Sequence, residues 1–446
     1  MNEPIISVSG LRGIVGAQLN PTVASTYTAA LASHLPQGIV ILGRDSRPSG
    51  EMFSRTIAAV LQAHGHDVID LGIAATPTIG VEVRRHHAVA GIQISASHNP
   101  PEYNGMKLFG ADGRVINRQA GDKVLQAYRN HSVRWVNVEE LGTYAVEDAP
   151  HAAHLEKVLS TISVAPIQRR AFRVLLDCNR GAGGMLGRRL LEELGCQVDV
   201  LGETPDGRFE HPPEPTMENL APVCDLAKSG TYDVVFCQDP DADRLAVIDE
   251  RGTYIGEELT LALCLLDALP KKPGTVVTNC ATSSLSKLIA AQFNCRLIQA
   301  AVGEANVADL MIEQGAVFGG EGNGGPIDPE VGYVRDSFVG MARVLSLLAS
   351  TDSPLSVIVE GLPKLAMYKD KAAIEGVELR AVMERLMTHF ADAQSSMPDG
   401  LKLEWPDRWL LVRGSNTEPI VRLIAEAPTV DQARDLCQQA RTAAGL

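Results

Sequence analysis

Aromatic residues are scarce, at 4% of the 446 positions, and no apolar run reaches 18 residues. A helix needs about that length to cross a bilayer, so no membrane-spanning helix is expected. The first ten residues, MNEPIISVSG, lack a basic stretch followed by an apolar one, so no secretory leader is read there. Positive charge is also in deficit: the net charge is −14, with no basic stripe. That excludes nucleic acid as a main partner, because phosphate-backbone binding relies on clustered Lys and Arg. No C-x-x-C pair links any of the eight cysteines, which argues against a zinc ribbon or a thioredoxin-like centre. Most of them lie in apolar runs, such as Cys237 in VVFCQ and Cys264 in LALCLL, and read as small buried hydrophobes. Reduced thiols imply a cytoplasmic setting. The P-loop pattern G-x-x-x-x-G-K-[ST] is missing as well.

What the chain does have is 45% hydrophobic and 21% charged residues, 40 glycines and 25 prolines. This is a globular composition with many tight loops, too long for one core, and three or four domains are expected. Short apolar runs alternate with helical stretches, the rhythm of α/β architecture. In the first third the strands are read at 38–45, 67–72 and 88–95, with a helix at 54–65 between them. The rhythm restarts near 150, with strands at 171–179, 196–202 and 232–239 and a helix at 183–195. A third unit begins near 254 and closes on a long amphipathic helix at 335–350. After Pro363 one helix, three strands and a final helix suit a smaller α+β domain. The expected domains are therefore 1–150, 151–253, 254–362 and 363–446, and the short linker near Gly361–Lys371 predicts a mobile fourth domain.

Four loops carry chemistry. Ser95-Ala-Ser97-His98-Asn99-Pro100 follows an apolar strand and is read as a tight exposed turn. Ser97 there is a candidate nucleophile or phosphate carrier, with His98 beside it and Lys107 shortly after as a possible base. A polar turn without chemistry is the alternative. Asp239, Asp241 and Asp243 follow a buried strand at alternate positions, which in extended chain face one way. Three such charges repel unless a cation joins them, and hard oxygen ligands favour Mg²⁺, Mn²⁺ or Ca²⁺. An EF-hand is excluded, because its sixth position needs Gly and here is Arg244. The glycine-rich run 319–325 either lets Glu321 and Asn323 grip hydroxyls or is a flexible connector. Arg413, Ser415, Asn416 and Thr417, followed by Arg422, concentrate donors suited to a phosphate dianion. The run Gly181-Ala-Gly183-Gly-Met-Leu186 mimics a dinucleotide fingerprint, but its third glycine position is Leu186.

In this order and spacing the loops resemble the α-D-phosphohexomutase superfamily over essentially the whole chain: S-x-S-H-N-P, D-x-D-x-D, G-E-x-x-G and R-x-S-N-T-E-P, with Arg12 in an N-terminal segment. The resemblance implies four domains, the first three similar α/β units with mixed sheets, around an active site in a central cleft. It implies that Ser97 is a phosphoserine and that Asp239, Asp241 and Asp243 hold Mg²⁺, a phosphoserine oxygen completing the set. Arg12, Lys107, His98 and Arg244 would be catalytic, Arg12 and Lys107 as acid and base. Glu321 and Asn323 would bind the sugar, and Arg413, Ser415, Asn416, Thr417 and Arg422 its non-reacting phosphate. The reaction implied moves phosphate between O1 and O6 of a hexose through a 1,6-bisphosphate, which also serves as activator. The partner is thus a small phosphosugar, and the enzyme a monomer or homodimer. The metal loop opens D-P-D where many members have D-G-D. Asn323 and Gly325 stand where common bacterial members carry Ser and His, so the sugar loop is similar to the archaeal-type branch. That favours glucosamine phosphate, with phosphomannomutase/phosphoglucomutase activity as the alternative and a metal-dependent sugar phosphatase or a sugar-phosphate sensor behind it.

Overall fold

A computed structural model of the chain describes residues 3–130, 133, 135–373, 378–414 and 420–446. It divides into two compact units, Met1–Ala268 with Asn323–Glu360, and Leu269–Gly322 with Gly361–Leu446.

The first sheet of the first unit comprises β1 (Ile5–Ser7), β2 (Gly10–Ile14), β3 (Ile39–Arg44), β4 (Asp67–Ile73), β5 (Ala90–Ile94), β6 (Tyr103–Gly110) and β7 (Tyr144–Val146). Their order is β1-β2-β6-β5-β3-β4-β7. Strands β5, β3, β4 and β7 run parallel, whereas β1, β2 and β6 add antiparallel pairs at the other side. The central strands read as continuous apolar runs because both faces are covered. Helices Pro21–Ala32, Gly50–Gln62 and Arg118–Asn130 pack Tyr27, Phe53, Ile57 and Val124 on one face. Helix Thr76–Arg85 packs Ile79 and Val83 on the other. The three strands expected here are present, while β1, β2, β6 and β7 were not anticipated.

The second sheet comprises β8 (Arg173–Asp177), β9 (Gln197–Leu201), β10 (Val234–Gln238) and β11 (Leu245–Asp249), ordered β11-β10-β8-β9. Strands β8, β9 and β10 are parallel and β11 returns antiparallel to β10, so residues 239–244 form the turn of a hairpin. Helix Gly184–Glu193 lies between β8 and β9 in the chain and ends at Gly195, as expected, in the left-handed region at φ 74°.

The second unit opens with three parallel strands, β12 (Val276–Asn279), β13 (Leu297–Ala300) and β14 (Phe318–Glu321). Strand β15 (Gly325–Ile327) and helix Ser337–Thr351 fall back in the first unit. That helix departs from the amphipathic expectation, since every residue from Ser337 to Leu348 is buried. Its polar positions are covered because they are paired: Arg343 reaches Asp328 at 2.7 Å and Asp267 at 3.2 Å.

The rest of the second unit is an antiparallel sheet of β16 (Ala366–Ala373), β17 (Gln394–Ser396), β18 (Leu401–Glu404), β19 (Trp409–Gly414) and β20 (Ile420–Ala427), ordered β16-β20-β19-β18-β17. Helices Leu379–His389 and Val430–Ala444 cover its core of Leu403, Leu410, Leu423 and Leu436. This is the expected α+β domain, with β16 and β17 added. It is fastened to the strands β12 and β13 by two buried charges. Lys402 donates to the Cys280 carbonyl and to Gln299 Oε1, both at 2.9 Å, while its ammonium lies over Trp409. Glu426 accepts from Trp409 Nε1 at 2.7 Å and from the Ser284 amide at 2.9 Å. The domain expected at 363–446 thus shares one compact unit with β12, β13 and β14.

Glu426→Ala leaves two buried donors unsatisfied and is expected to cost about 2–4 kcal/mol. The check is a urea titration followed by tryptophan fluorescence, in which the midpoint falls.

Candidate active site

Residues 239–243 are not extended. The Ala242 amide donates to the Asp239 carbonyl at 2.9 Å, and Ala242 is left-handed at φ 54°. The carboxylates therefore converge through a turn rather than through the two-residue period of a strand. Asp239, Asp241 and Asp243 are fully buried, and their oxygens lie within 4.8 Å of one another. The surroundings impose this turn. The Ala182 amide donates to the Pro240 carbonyl at 2.8 Å, and a Cβ at Gly181 would sit 2.8 Å from Pro240 Cα. At Gly183 it would meet Gln238 Oε1 at 2.2 Å. The glycine run that mimics a nucleotide fingerprint thus serves close packing against this hairpin. Ser337 Oγ donates to the Ala242 carbonyl at 2.7 Å, at the start of the buried helix that Asp336 caps through the Phe338 and Val339 amides.

Ser97 is buried, contrary to the exposed turn expected, and is left-handed at φ 50°. A non-glycine residue in that region is strained and must be held. The Ser97 amide donates to Ser95 Oγ at 2.8 Å, and Ser95 Oγ donates to Asp45 Oδ2 at 2.6 Å. The main clamp is Arg47, which sequence reading did not single out. With no exposed side-chain surface, it donates to four carbonyls: Ser97 at 2.8 Å, Asn99 at 2.6 Å, Pro100 at 2.6 Å and Tyr103 at 3.0 Å. Its Nε pairs with Asp45 at 3.1 Å, and the Phe209 ring lies over the guanidinium. Burial raises the pKa of Asp45 and outweighs the lowering by Arg47 and Ser95. The segment GRDSRPSG, charged directly after a buried strand, carried a signal for this clamp.

The two loops meet. Ser97 Oγ donates to Asp239 Oδ2 at 3.2 Å and lies 3.3 Å from His98 Nδ1. Burial, then Arg244 and Arg12, push the His98 imidazole down to about 2, so it is neutral at ordinary pH. Lys107 stands on β6 opposite Gly10 and Gln93, and its Nζ is 2.8 Å from Asp243 and 3.5 Å from Asp241. Arg12 stands on β2 opposite Gly105, where a Cβ would lie 2.5 Å from the Leu11 carbonyl oxygen, and its Nη1 donates to Asn99 at 3.2 Å. The Arg244 amide donates to Asp239 Oδ1 at 3.1 Å. Two further partners went unread in the sequence. Thr76 Oγ1 donates to Asp241 Oδ2 at 2.5 Å, and Arg335 reaches Asp243 Oδ2 at 2.6 Å.

The charge balance is uneven. Burial, Asp241 and Asp243 raise the pKa of Asp239 well above the carboxylate range. Burial also acts to raise that of Asp243, but Arg335, Lys107 and Arg244 overcome it and hold the pKa low. Asp241 Oδ1 and Asp243 Oδ1 are buried without hydrogen-bond donors. Oxygen-only ligands, crowded negative charge and two orphaned oxygens together fit a hard divalent cation. The other such group among the described residues, Glu82, His86 and Glu147, already has Arg85 bound to both carboxylates.

Of the other predicted residues, Glu321, Arg413 and Arg422 belong to the second unit, and Asn323 precedes Gly324, whose carbonyl accepts from the Leu245 amide at 2.8 Å. Glu321 ends β14, and its Oε1 accepts from Asn279 Nδ2 at 2.7 Å and the Gly303 amide at 3.1 Å. Asn323 carries a buried Oδ1 that meets no donor. Gly319 and Gly325 serve packing, since Cβ atoms there would meet the Val277 carbonyl oxygen at 2.5 Å and Arg335 Cδ at 2.3 Å. Arg413 on β19 is the cross-strand partner of Arg422 on β20, which in turn pairs with Lys371 on β16. Like charges directly opposite one another are destabilising, so this row of three suits an anion. Ser415, Asn416 and Thr417 lie outside the described residues.

Arg47→Met strands the buried Asp45 carboxylate and should cost about 3–5 kcal/mol, with part regained in Asp45→Asn/Arg47→Met. Thermal unfolding of the two variants measures the difference.

Four family models match in order: phosphoglucomutase/phosphomannomutase alpha/beta/alpha domains I, II and III over residues 5–134, 152–252 and 257–365, and the C-terminal domain over 371–443. A phosphoglucomutase/phosphomannomutase of Thermococcus kodakarensis is 34% identical over 96% of this chain and 95% of its own length. A probable phosphoglucosamine mutase of Methanopyrus kandleri is 32% identical, again over 96% and 95%. A phosphoglucomutase/phosphomannomutase family protein of Burkholderia thailandensis superposes with a TM-score of 0.87 at 26% identity, covering 99% of this chain and 98% of that one.

Proposed function

The chain belongs to the phosphoglucomutase/phosphomannomutase family of phosphosugar mutases, and we propose that it interconverts hexose 1- and 6-phosphates through a phosphorylated Ser97. Glucosamine phosphate is the favoured substrate, with mannose and glucose phosphates next. The observation that carries the reading is Ser97 held in a left-handed turn, its Oγ 3.2 Å from the buried aspartate cluster. The family matches support domains at 1–150, 151–253, 254–362 and 363–446.

Asp239, Asp241 and Asp243 would hold Mg²⁺, and a phosphoserine oxygen would complete its ligands. Bound there, Mg²⁺ supplies the charge neutralisation that lets a second phosphate approach a phosphoserine carrying about −1.5 to −2. The chain's own residues do the rest. A sugar hydroxyl attacks the phosphorus and the P–Oγ bond breaks, one of Lys107 and Arg12 taking the hydroxyl proton and the other giving a proton to the departing Oγ. Lys107, on two carboxylates, His98, beside Ser97, and Arg244, on Asp239, would line the transferring group. The bisphosphate then turns over and returns its other phosphate to Ser97, so hexose 1,6-bisphosphate acts as activator. Glu321 and Asn323 take the sugar hydroxyls. Arg413, Arg422, Ser415, Asn416 and Thr417 take the phosphate that does not react.

Phosphorus NMR tests this with Mg²⁺, a trace of glucose 1,6-bisphosphate, and glucosamine, mannose and glucose 1-phosphates in separate tubes. Conversion of a 1-phosphate signal into a 6-phosphate signal is expected, fastest for glucosamine and abolished by chelation until Mg²⁺ is restored. Accumulation of inorganic phosphate would instead mean a phosphatase. Ser97→Ala is expected to lose at least ~10³-fold in rate.

A further inference from the structure

The row of cations on the C-terminal sheet and the sugar-loop glutamate lie in the same unit, and one side chain bridges them. Asp399 Oδ2 lies 2.8 Å from Arg413 Nε, an ion pair without hydrogen-bond alignment, and accepts the Val302 amide at 3.3 Å. The next amide along, Gly303, donates to Glu321 Oε1 at 3.1 Å. Asp399 therefore contacts the phosphate-side arginine and the chain segment that orients the sugar-side carboxylate through a single oxygen.

The backbone holds this bridge in place. Gly400, beside Asp399, has φ 87°, and a Cβ on it would lie 2.3 Å from the Val412 carbonyl oxygen and 2.9 Å from Arg413 Cα. Only glycine allows the turn to lie directly on the strand that carries Arg413, so the aspartate is delivered to the guanidinium by the chain itself. Gly303, at φ 124°, is likewise in backbone territory reserved for glycine, which turns its amide toward Glu321. Val302 packs on the small core of Cys280, Trp409 and Leu411 that joins β12 to β19. Arg413, beside Arg422 and Lys371, would be repelled from that row without a carboxylate to steady it.

We propose that Asp399 is a positioning residue that fixes the Arg413 guanidinium for the non-reacting phosphate and ties it to the Val302–Gly303 turn behind Glu321. The inference rests on the assignment of Arg413 to that phosphate. Asp399 makes no contact with substrate in this scheme; it acts through Arg413. A ligand presented in either of two sugar orientations needs its phosphate and hydroxyl grips kept in register, and this bridge supplies that register.

The test is a double-mutant cycle read by titration calorimetry with glucose 6-phosphate, supported by steady-state kinetics. Asp399→Asn is expected to raise Kd and KM by about tenfold with kcat within about twofold, as for lost orientation of a charged contact. Asp399→Glu should recover most of the loss. In an Arg413→Gln background, Asp399→Asn should add less than about a twofold further loss, because the residue it acts through is gone. Unchanged Kd in Asp399→Asn, or full additivity with Arg413→Gln, overturns the proposal while leaving the phosphate assignment standing. If Arg413→Gln itself leaves Kd unchanged, the phosphate assignment fails and the proposal with it. An equal unfolding midpoint for Asp399→Asn and the parent separates positioning from a folding defect.

Discussion

Three carboxylates with no exposed surface meet in one turn, and most of the first unit is arranged around the cost of that meeting. At 4 Å each pair repels by about 4 kcal/mol at an effective dielectric near 20. Burial and its two neighbours push the Asp239 pKa up, whereas Arg335, Lys107 and Arg244 hold that of Asp243 down. Thr76 and Ser97 supply hydroxyl donors to Asp241 and Asp239. The packing serves the same end. Gly181 and Gly183 let the chain approach the turn closely, and Ser337 grips its Ala242 carbonyl from a buried helix. A site so loaded is unfavourable as it stands and favourable once a divalent cation joins it, which is the property a phosphoryl-transfer centre needs.

The serine loop is built on the opposite principle. There the buried charge is positive, and Arg47 spends its donors on backbone carbonyls. An arginine suits this role because its planar fork presents several fixed donors. The result is a serine held in a strained backbone conformation beside the carboxylates, with the Arg47 guanidinium on its carbonyl. The second unit repeats the theme more loosely. There Asp399 stands to Arg413 as Asp45 stands to Arg47, each a carboxylate beside a guanidinium.

Buried parallel strands were the most legible part of the chain, because double burial makes them continuous apolar runs, as at 38–45 and 232–239. Strands carrying polar or glycine residues were not. β6, YNGMKLFG, holds Lys107 yet reads as neither period, and β2, GLRGI, is too short and too glycine-rich to stand out. The site loops were legible by residue type, and Ser97, His98, Lys107, Arg12, Arg244 and the three aspartates do come together. Their geometry was not legible. The aspartates converge through a left-handed Ala242, and Ser97 is buried because loops distant in sequence close over it. Thr76, Arg335 and Asp399 were missed because each acts through a tertiary contact that leaves no local pattern.

The most direct measurement is mass spectrometry of the intact protein and its peptides after incubation with glucose 1,6-bisphosphate and Mg²⁺, then after a chase with hexose 1-phosphate. One phosphate, mapped to Ser97 and removed by the chase, is the predicted result. A phosphate on any other residue, or a phosphorylated Ser97 that the sugar phosphate cannot discharge, would contradict the account.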